Sequence, residues 1–115
     1  GKVHLRLVCH VRGGWFGNPN AGTDAAFSLP ELIAHAARTR ELRAGTLVGT
    51  GTISNQDKAT GYACLMEKRH VEQVEEGAAK SPFLAFGDAV RIEMFDAHGA
   101  TVFGAIEQRV APYAR

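Results

Sequence analysis

The residues able to do chemistry are few and scattered. Gly49-Thr50-Gly51-Thr52 is the most suggestive run. Backbone N–H groups freed at a glycine-rich strand exit can form a nest for a carboxylate or phosphate, and a threonine hydroxyl adds a donor. The same residues read as well as a tight turn between strands. Gly49-x-Gly51-x-x-Ser54 falls short of a dinucleotide fingerprint. A polar loop follows it where a helix would have to open, so a pyrophosphate would lack its helix N-terminus. The five histidines have no ligand spacing. His4 and His10 share a strand face but stand roughly 20 Å apart along an extended chain. His35 falls near a core edge, and His70 and His98 fall at the surface, so each reads as structural rather than metal-binding. Glu72, Glu75 and Glu76 share one helix face, ordinarily a solvated one. A divalent ion would relieve the repulsion between Glu72 and Glu76. Ser54 has no evident base, and neither Cys9 nor Cys64 has a histidine at motif distance, so core or loop roles are the default for all three. These residues alone describe a small domain able to contact an anionic ligand, not a self-sufficient catalyst.

The elements that must position them follow from periodicity. Val3, Leu5, Leu7, Cys9 and Val11 fall on one face and His4, Arg6, His10 and Arg12 on the other, the pattern of a half-buried strand over residues 3 to 11. Gly13-Gly14 supplies a hairpin turn, Trp15 and Phe16 open a short return, and Gly17-Asn18-Pro19-Asn20 breaks it. Ser28 and Glu31 have capping-box spacing with Pro30 in the first turn. Leu29, Leu32, Ile33, Ala36 and Ala37 then form one stripe of a helix ending near Arg40. Leu42-x-x-Gly45-Thr46 and Leu84-x-x-Gly87-Asp88 echo one another before apolar runs, which predicts two sheet-entry turns, with strands from Thr46 and from Ala89. Residues 55 to 61 read as loop, and a helix runs from about Leu65 to a stop at Gly77. Ala89 to Phe95 and Ala100 to Ile106 form a hairpin around Asp96-Ala97-His98-Gly99, and the tail after Val110 frays. Strands at both ends with two helices between them give an α+β class with a mostly antiparallel sheet.

Composition narrows the field from the other side. The 115 residues are 45% hydrophobic and 22% charged, the balance of one globular domain. Thirteen basic and twelve acidic side chains leave a net charge of +1, no footprint for nucleic acid or an anionic membrane. No apolar run approaches the ~20 residues of a membrane span, and no signal-peptide segment is evident. Free thiols at Cys9 and Cys64 in a reducing cytoplasm are the expectation.

The segments together resemble the fumarylacetoacetate hydrolase family. The resemblance runs through Thr23 to Ala34 with its Phe27-Ser28-Leu29-Pro30-Glu31-Leu32-Ile33 core, then Gly45-Thr46-Leu47-Val48-Gly49-Thr50-Gly51-Thr52. It continues in Cys64-Leu65-Met66-Glu67, Phe83-Leu84-Ala85-Phe86-Gly87-Asp88 and Phe103-Gly104-Ala105-Ile106-Glu107, and spans about Val3 to Val110. It implies a mixed, mostly antiparallel β-roll, usually homodimeric, that hydrolyses, hydrates or decarboxylates small dicarbonyl and keto-acid substrates with Mg²⁺, Mn²⁺ or Ca²⁺. Hydrolytic members cleave a carbon–carbon bond next to a carbonyl. The metal polarises the diketone, and a histidine–glutamate pair activates water.

By the same resemblance, the family's acidic metal ligands, its catalytic lysine and its histidine–glutamate pair precede the matched region. Glu67, Glu93 and Glu107 are not promoted to ligands, and no catalytic residue or metal ligand is assigned to this chain. Thr52 carries over as a substrate contact, and Gly51 shapes the same pocket wall. Ile53-Ser54 stands where many members have proline, and Ala25 where methionine is common. Residues 1–115 are therefore expected to be the C-terminal portion of such an enzyme. The expected cleavage is of fumarylacetoacetate- or acylpyruvate-like diketo acids, completed by an N-terminal portion of the same protein that brings the metal. The competing expectation is a non-catalytic β-roll that binds or assembles.

Overall fold

The computed structural model describes residues 1–114. Four strands and two helices run in the order β1 (Leu7–Val11), β2 (Gly14–Gly17), α1 (Leu29–Ala37), α2 (Leu65–Glu76), β3 (Ala89–Phe95) and β4 (Thr101–Arg109), with a 3-10 turn at Lys58–Thr60 before α2. The strands form one sheet in the order β2-β1-β3-β4. Every pair is antiparallel, so the class is α+β without the mixed character expected.

Register sorts the side chains onto two unlike faces. Leu7, Cys9 and Val11 oppose Met94, Ile92 and Val90, and Ile92 opposes Ile106, which makes one face apolar. On the other face His10, Arg91 and Glu107 line up, with Glu93 opposite Val8. There Arg91 donates through Nε and one terminal nitrogen to Glu93 at 2.9 and 2.8 Å and through the other to Glu107. His10 is half-buried on this face, and its Nδ1 has no hydrogen-bond partner.

The hairpin turn sits one residue earlier than expected. Val11 pairs with Gly14, which leaves Arg12 and Gly13 as the loop, both at positive φ (53° and 76°). A non-glycine residue is uncommon there and needs holding. Arg12 Nε meets Asp88 Oδ2 at 2.9 Å, its terminal nitrogen donates to the Phe83 carbonyl, and its N–H donates to the Ala89 carbonyl. Asp88 is kept below the ordinary carboxylate range first by the Ala85 N–H and then by Arg12.

Strand β1 is shorter than the alternation over residues 3 to 11. Before Leu7 the chain continues only as an isolated bridge from Arg6 to Asn20. β4 is longer than expected and reaches Arg109, and residues 110–114 beyond it carry no regular element. The two echoed turns both form: Thr46 N–H bonds the Arg43 carbonyl and Asp88 N–H the Ala85 carbonyl, each at 3.0 Å, with Gly45 and Gly87 at positive φ. Only the second delivers a strand. The strand expected from Thr46 is absent, because no other segment among the described residues pairs with it, and Leu47 is 95% exposed.

Both helices form where local signals place them. Ser28 and Glu31 close a capping box with Pro30 in the first turn, although α1 ends at Ala37 rather than near Arg40. α2 stops at Gly77 in the left-handed conformation. The stripe of α1 is not buried as expected: Leu29 and Ile33 are exposed and Leu32 half-buried. Among the described residues the buried apolar core is Cys9 (4% exposed) and Met94 (8%), with Pro19 fully enclosed. The accessible surface is 8291 Å², against about 6,100 Å² for a compact monomer of this mass. The radius of gyration is 16.4 Å, against about 13 Å for a compact chain of this length.

Polar and backbone closures substitute for part of the missing core. Glu72 accepts from Ser81 Oγ, Ser81 N–H and Lys80 N–H, tying the segment after α2 back onto the helix. Arg69 lies over the Phe83 ring at 4.3 Å. Gly17 crosses Gly61 in an isolated bridge, flanked by Asn18 N–H to the Thr60 carbonyl and Tyr62 N–H to the Phe16 carbonyl.

Two outcomes follow from these closures. A Cβ on Gly17 would stand 2.2 and 2.3 Å from the Tyr62 carbonyl oxygen and nitrogen, so Gly17→Ala lowers the urea-unfolding free energy by about 1–3 kcal/mol. Ser81 Oγ, then the Ser81 N–H, with Lys80 N–H and Lys68 behind them, hold Glu72 down to about 2. Because this value lies below the unfolded one, the stabilisation is present above pH ~4.5 and is lost as pH falls through about 2. In urea midpoints measured across that window, the advantage of the wild type over Glu72→Gln is full at the upper end and vanishes at the lower.

Candidate functional site

A cavity of about 610 Å³ opens between the apolar sheet face and the first turns of α1. Met94 and Val102 line it from the sheet, Leu29 and Leu32 from the helix, and Ile53 from the far wall. The helix stripe and the sheet face therefore meet across a void rather than against each other, and Leu29 and Ile33 of the stripe stay exposed. The polar lining consists of Lys2, Asp24, Ser28 and the hydroxyl run Thr50, Thr52 and Ser54.

The run Gly49 to Ser54 is irregular chain on the cavity wall, not a turn between strands. Gly51 takes φ 81°, a conformation that a side chain disfavours, and turns the backbone there. Thr50 and Thr52 hydroxyls have no hydrogen-bond partner among the described residues. The run is anchored just beyond its end. Asn55, 9% exposed, accepts the Asn20 N–H at 2.7 Å and donates to the Asn20 and Ser54 carbonyls, each at 3.0 Å. Asn20 Oδ1 in turn receives Gly22 and Thr23 N–H. One residue on, the Gln56 N–H donates to Asp24 at 2.9 Å. Reciprocal amide pairing satisfies both ends of the Asn55 side chain, which a buried amide requires.

Ser54 has the acidic neighbour that the sequence did not reveal. Its hydroxyl donates to Glu67 Oε1 at 2.5 Å, so the first turn of α2 touches the cavity wall. Thirteen residues separate the two, too far for a local motif. The Asn20–Asn55 pairing was likewise unread. Its only sequence signal was the presence of asparagines in both loops.

The other candidates lie elsewhere. His4 is outside the strand it was expected to share with His10, and His35 is exposed rather than at a core edge. His70 and His98 are exposed, as their positions implied. Glu72 is engaged by Ser81 and Lys80, with Lys68 at 3.9 Å, and Glu76 pairs with Lys80, so these acids serve the α2 closure. Cys9 and Cys64 are free thiols, and burial pushes the Cys9 thiol up, away from a reactive thiolate. Glu31 is held low by the Ser28 hydroxyl and N–H, which fixes the helix start beside the cavity.

The cavity's donor set does not fit a hard divalent cation by itself. Such an ion takes six or more oxygens including carboxylates, whereas the lining offers one carboxylate, Asp24, already accepting from Gln56. Among the described residues no group of three or more His, Cys, Asp or Glu side chains is placed to hold one. No helix among them is long and apolar enough to cross a membrane.

The sequence that forms this sheet and the cavity beside it matches one family model. Over residues 2–111 the chain matches the family model for the fumarylacetoacetate (FAA) hydrolase C-terminal domain. The chain belongs to that family, whose members include hydrolases, isomerases and decarboxylases of small molecules, generally dependent on a divalent metal. No curated protein matches it.

The anchor of the wall is open to test. Asn55→Ala leaves the Asn20 N–H and carbonyl without their partner and costs about 1–3 kcal/mol in urea unfolding. Hydrogen exchange then speeds up at residues 20–23 and 54–56, while the β1–β3 amides keep their protection.

Proposed function

We propose that this chain supplies one wall of the active cleft of a divalent-metal-dependent hydrolase that cleaves a carbon–carbon bond in acylpyruvate- or fumarylacetoacetate-like diketo acids. In this reading residues 1–115 are the C-terminal portion of the catalytic domain. The observation that carries it is the position of Thr52 and Gly51 on the wall of the 610 Å³ cavity, with the Thr52 hydroxyl unengaged. An unengaged hydroxyl can donate to a carbonyl or carboxylate oxygen, and Gly51 lets the backbone turn behind it without a side chain intruding. Leu29, Leu32, Ile53 and Met94 give the cavity an apolar lining that excludes water from a bound dicarbonyl. The cation and the proton-handling groups are assigned to an N-terminal portion of the same protein, because the donors on this wall do not fit a cation. About 2,000 Å² of surface in excess of a compact monomer supports both that completion and a homodimer.

The test uses the full-length protein with an acylpyruvate and Mg²⁺ or Mn²⁺. Thr52→Val lowers kcat/KM by roughly 3- to 10-fold, the worth of one neutral hydrogen bond. Unchanged turnover and saturation would make Thr52 a structural residue.

A further inference from the structure

Two residues apart on the same wall, Thr52 and Ser54 are in opposite hydrogen-bonding states. A hydroxyl has one proton and two lone pairs. The Ser54 proton is committed to Glu67 Oε1, and a carboxylate only accepts. Turning that proton towards the cavity would strip Glu67 of its donor. Nor does the backbone leave Ser54 free to move: its carbonyl accepts from the buried Asn55 amide, and the Gln56 N–H is held by Asp24. What Ser54 presents to the cavity is therefore lone pairs, while Thr52, with no partner among the described residues, remains able to donate.

We propose that Ser54 is a specificity-determining residue of this cleft, accepting a hydrogen bond from a ligand hydroxyl or enol beside the oxygen that Thr52 contacts. The inference rests on the cleft reading above and narrows it. The chemistry selected is a donor and an acceptor close together on one ligand, as in a 2-hydroxy acid or the enol form of a 1,3-dicarbonyl. Glu67 acts through Ser54 as a positioning residue.

Racemic lactate and pyruvate are the probes, because they differ in the hydroxyl that can donate and share the carboxylate. Titrated calorimetrically into the full-length protein, lactate binds roughly 3- to 10-fold tighter than pyruvate. In Ser54→Ala the ratio falls to about one through weaker lactate binding, with pyruvate unchanged. In Glu67→Ala the Ser54 hydroxyl loses its acceptor, its proton turns towards the cavity, and the ratio falls because pyruvate gains. A merely structural serine would move both acids together. A lactate preference that survives Ser54→Ala overturns the proposal. So does equal binding of the two acids by the wild type, and if Thr52→Val then weakens both, the cleft reading stands alone. No binding of either acid by the wild type overturns both.

Discussion

An antiparallel sheet with one apolar face must cover that face, and among the described residues this one is fully covered only at Cys9 and Met94. The face formed by Leu7, Cys9, Val11, Ile92, Met94 and Ile106 meets a cavity at Met94, and Leu29 and Leu32 of α1 line the opposite wall. Two consequences follow together. Among the described residues the buried apolar side chains are Cys9, Met94 and Pro19, and the space left open is the candidate site. A better-packed version of this chain, with Leu29 and Leu32 driven onto Met94, would gain apolar burial at about 25 cal/mol per Å² and would lose the cleft.

With so little core, position is set by discrete polar closures. Asn20 with Asn55, Arg12 with Asp88, and Glu72 with Ser81 each tie a loop or turn to another segment of the chain. Such closures differ from packing in their failure mode. Truncating one partner strands the other, whereas trimming an apolar contact costs roughly in proportion to area. The Asn55 closure matters most for chemistry because it fastens the carbonyl of a residue that itself lines the cavity. The geometry of the wall is thus inherited from a buried amide, not from a regular element.

What could be read in the sequence was what is encoded locally. The α1 start rests on Ser28 and Glu31 three residues apart, the α2 stop on Gly77, and the β3–β4 hairpin on Asp96 to Gly99. Thr52 and Gly51, singled out by resemblance as substrate contacts, lie on the cavity wall, a placement that no local pattern encodes. The misplaced hairpin turn shows the limit. Two adjacent glycines made 13–14 the natural loop, but Arg12 is drawn into the left-handed region by Asp88, 76 residues away. The Ser54–Glu67 and Asn20–Asn55 pairs, 13 and 35 residues apart, are likewise products of the fold.

The twin turns at Gly45 and Gly87 carry this reasoning one step further. Both close with the same hydrogen bond at the same length, and both launch an apolar run. The run after Gly87 finds β1 on one side and β4 on the other; the run after Gly45 finds no partner among the described residues. A strand is a relation between two segments, so identical local chemistry gives a strand once and irregular chain once. The unpaired run leads directly into the cavity wall, which is therefore anchored at its far end by Asn55 and left unpaired along Leu47 and Val48. Any segment that paired there would restrain both ends of Thr50 to Ser54 and fix the hydroxyls against the cavity. Completing the sheet and completing the site would then be the same event.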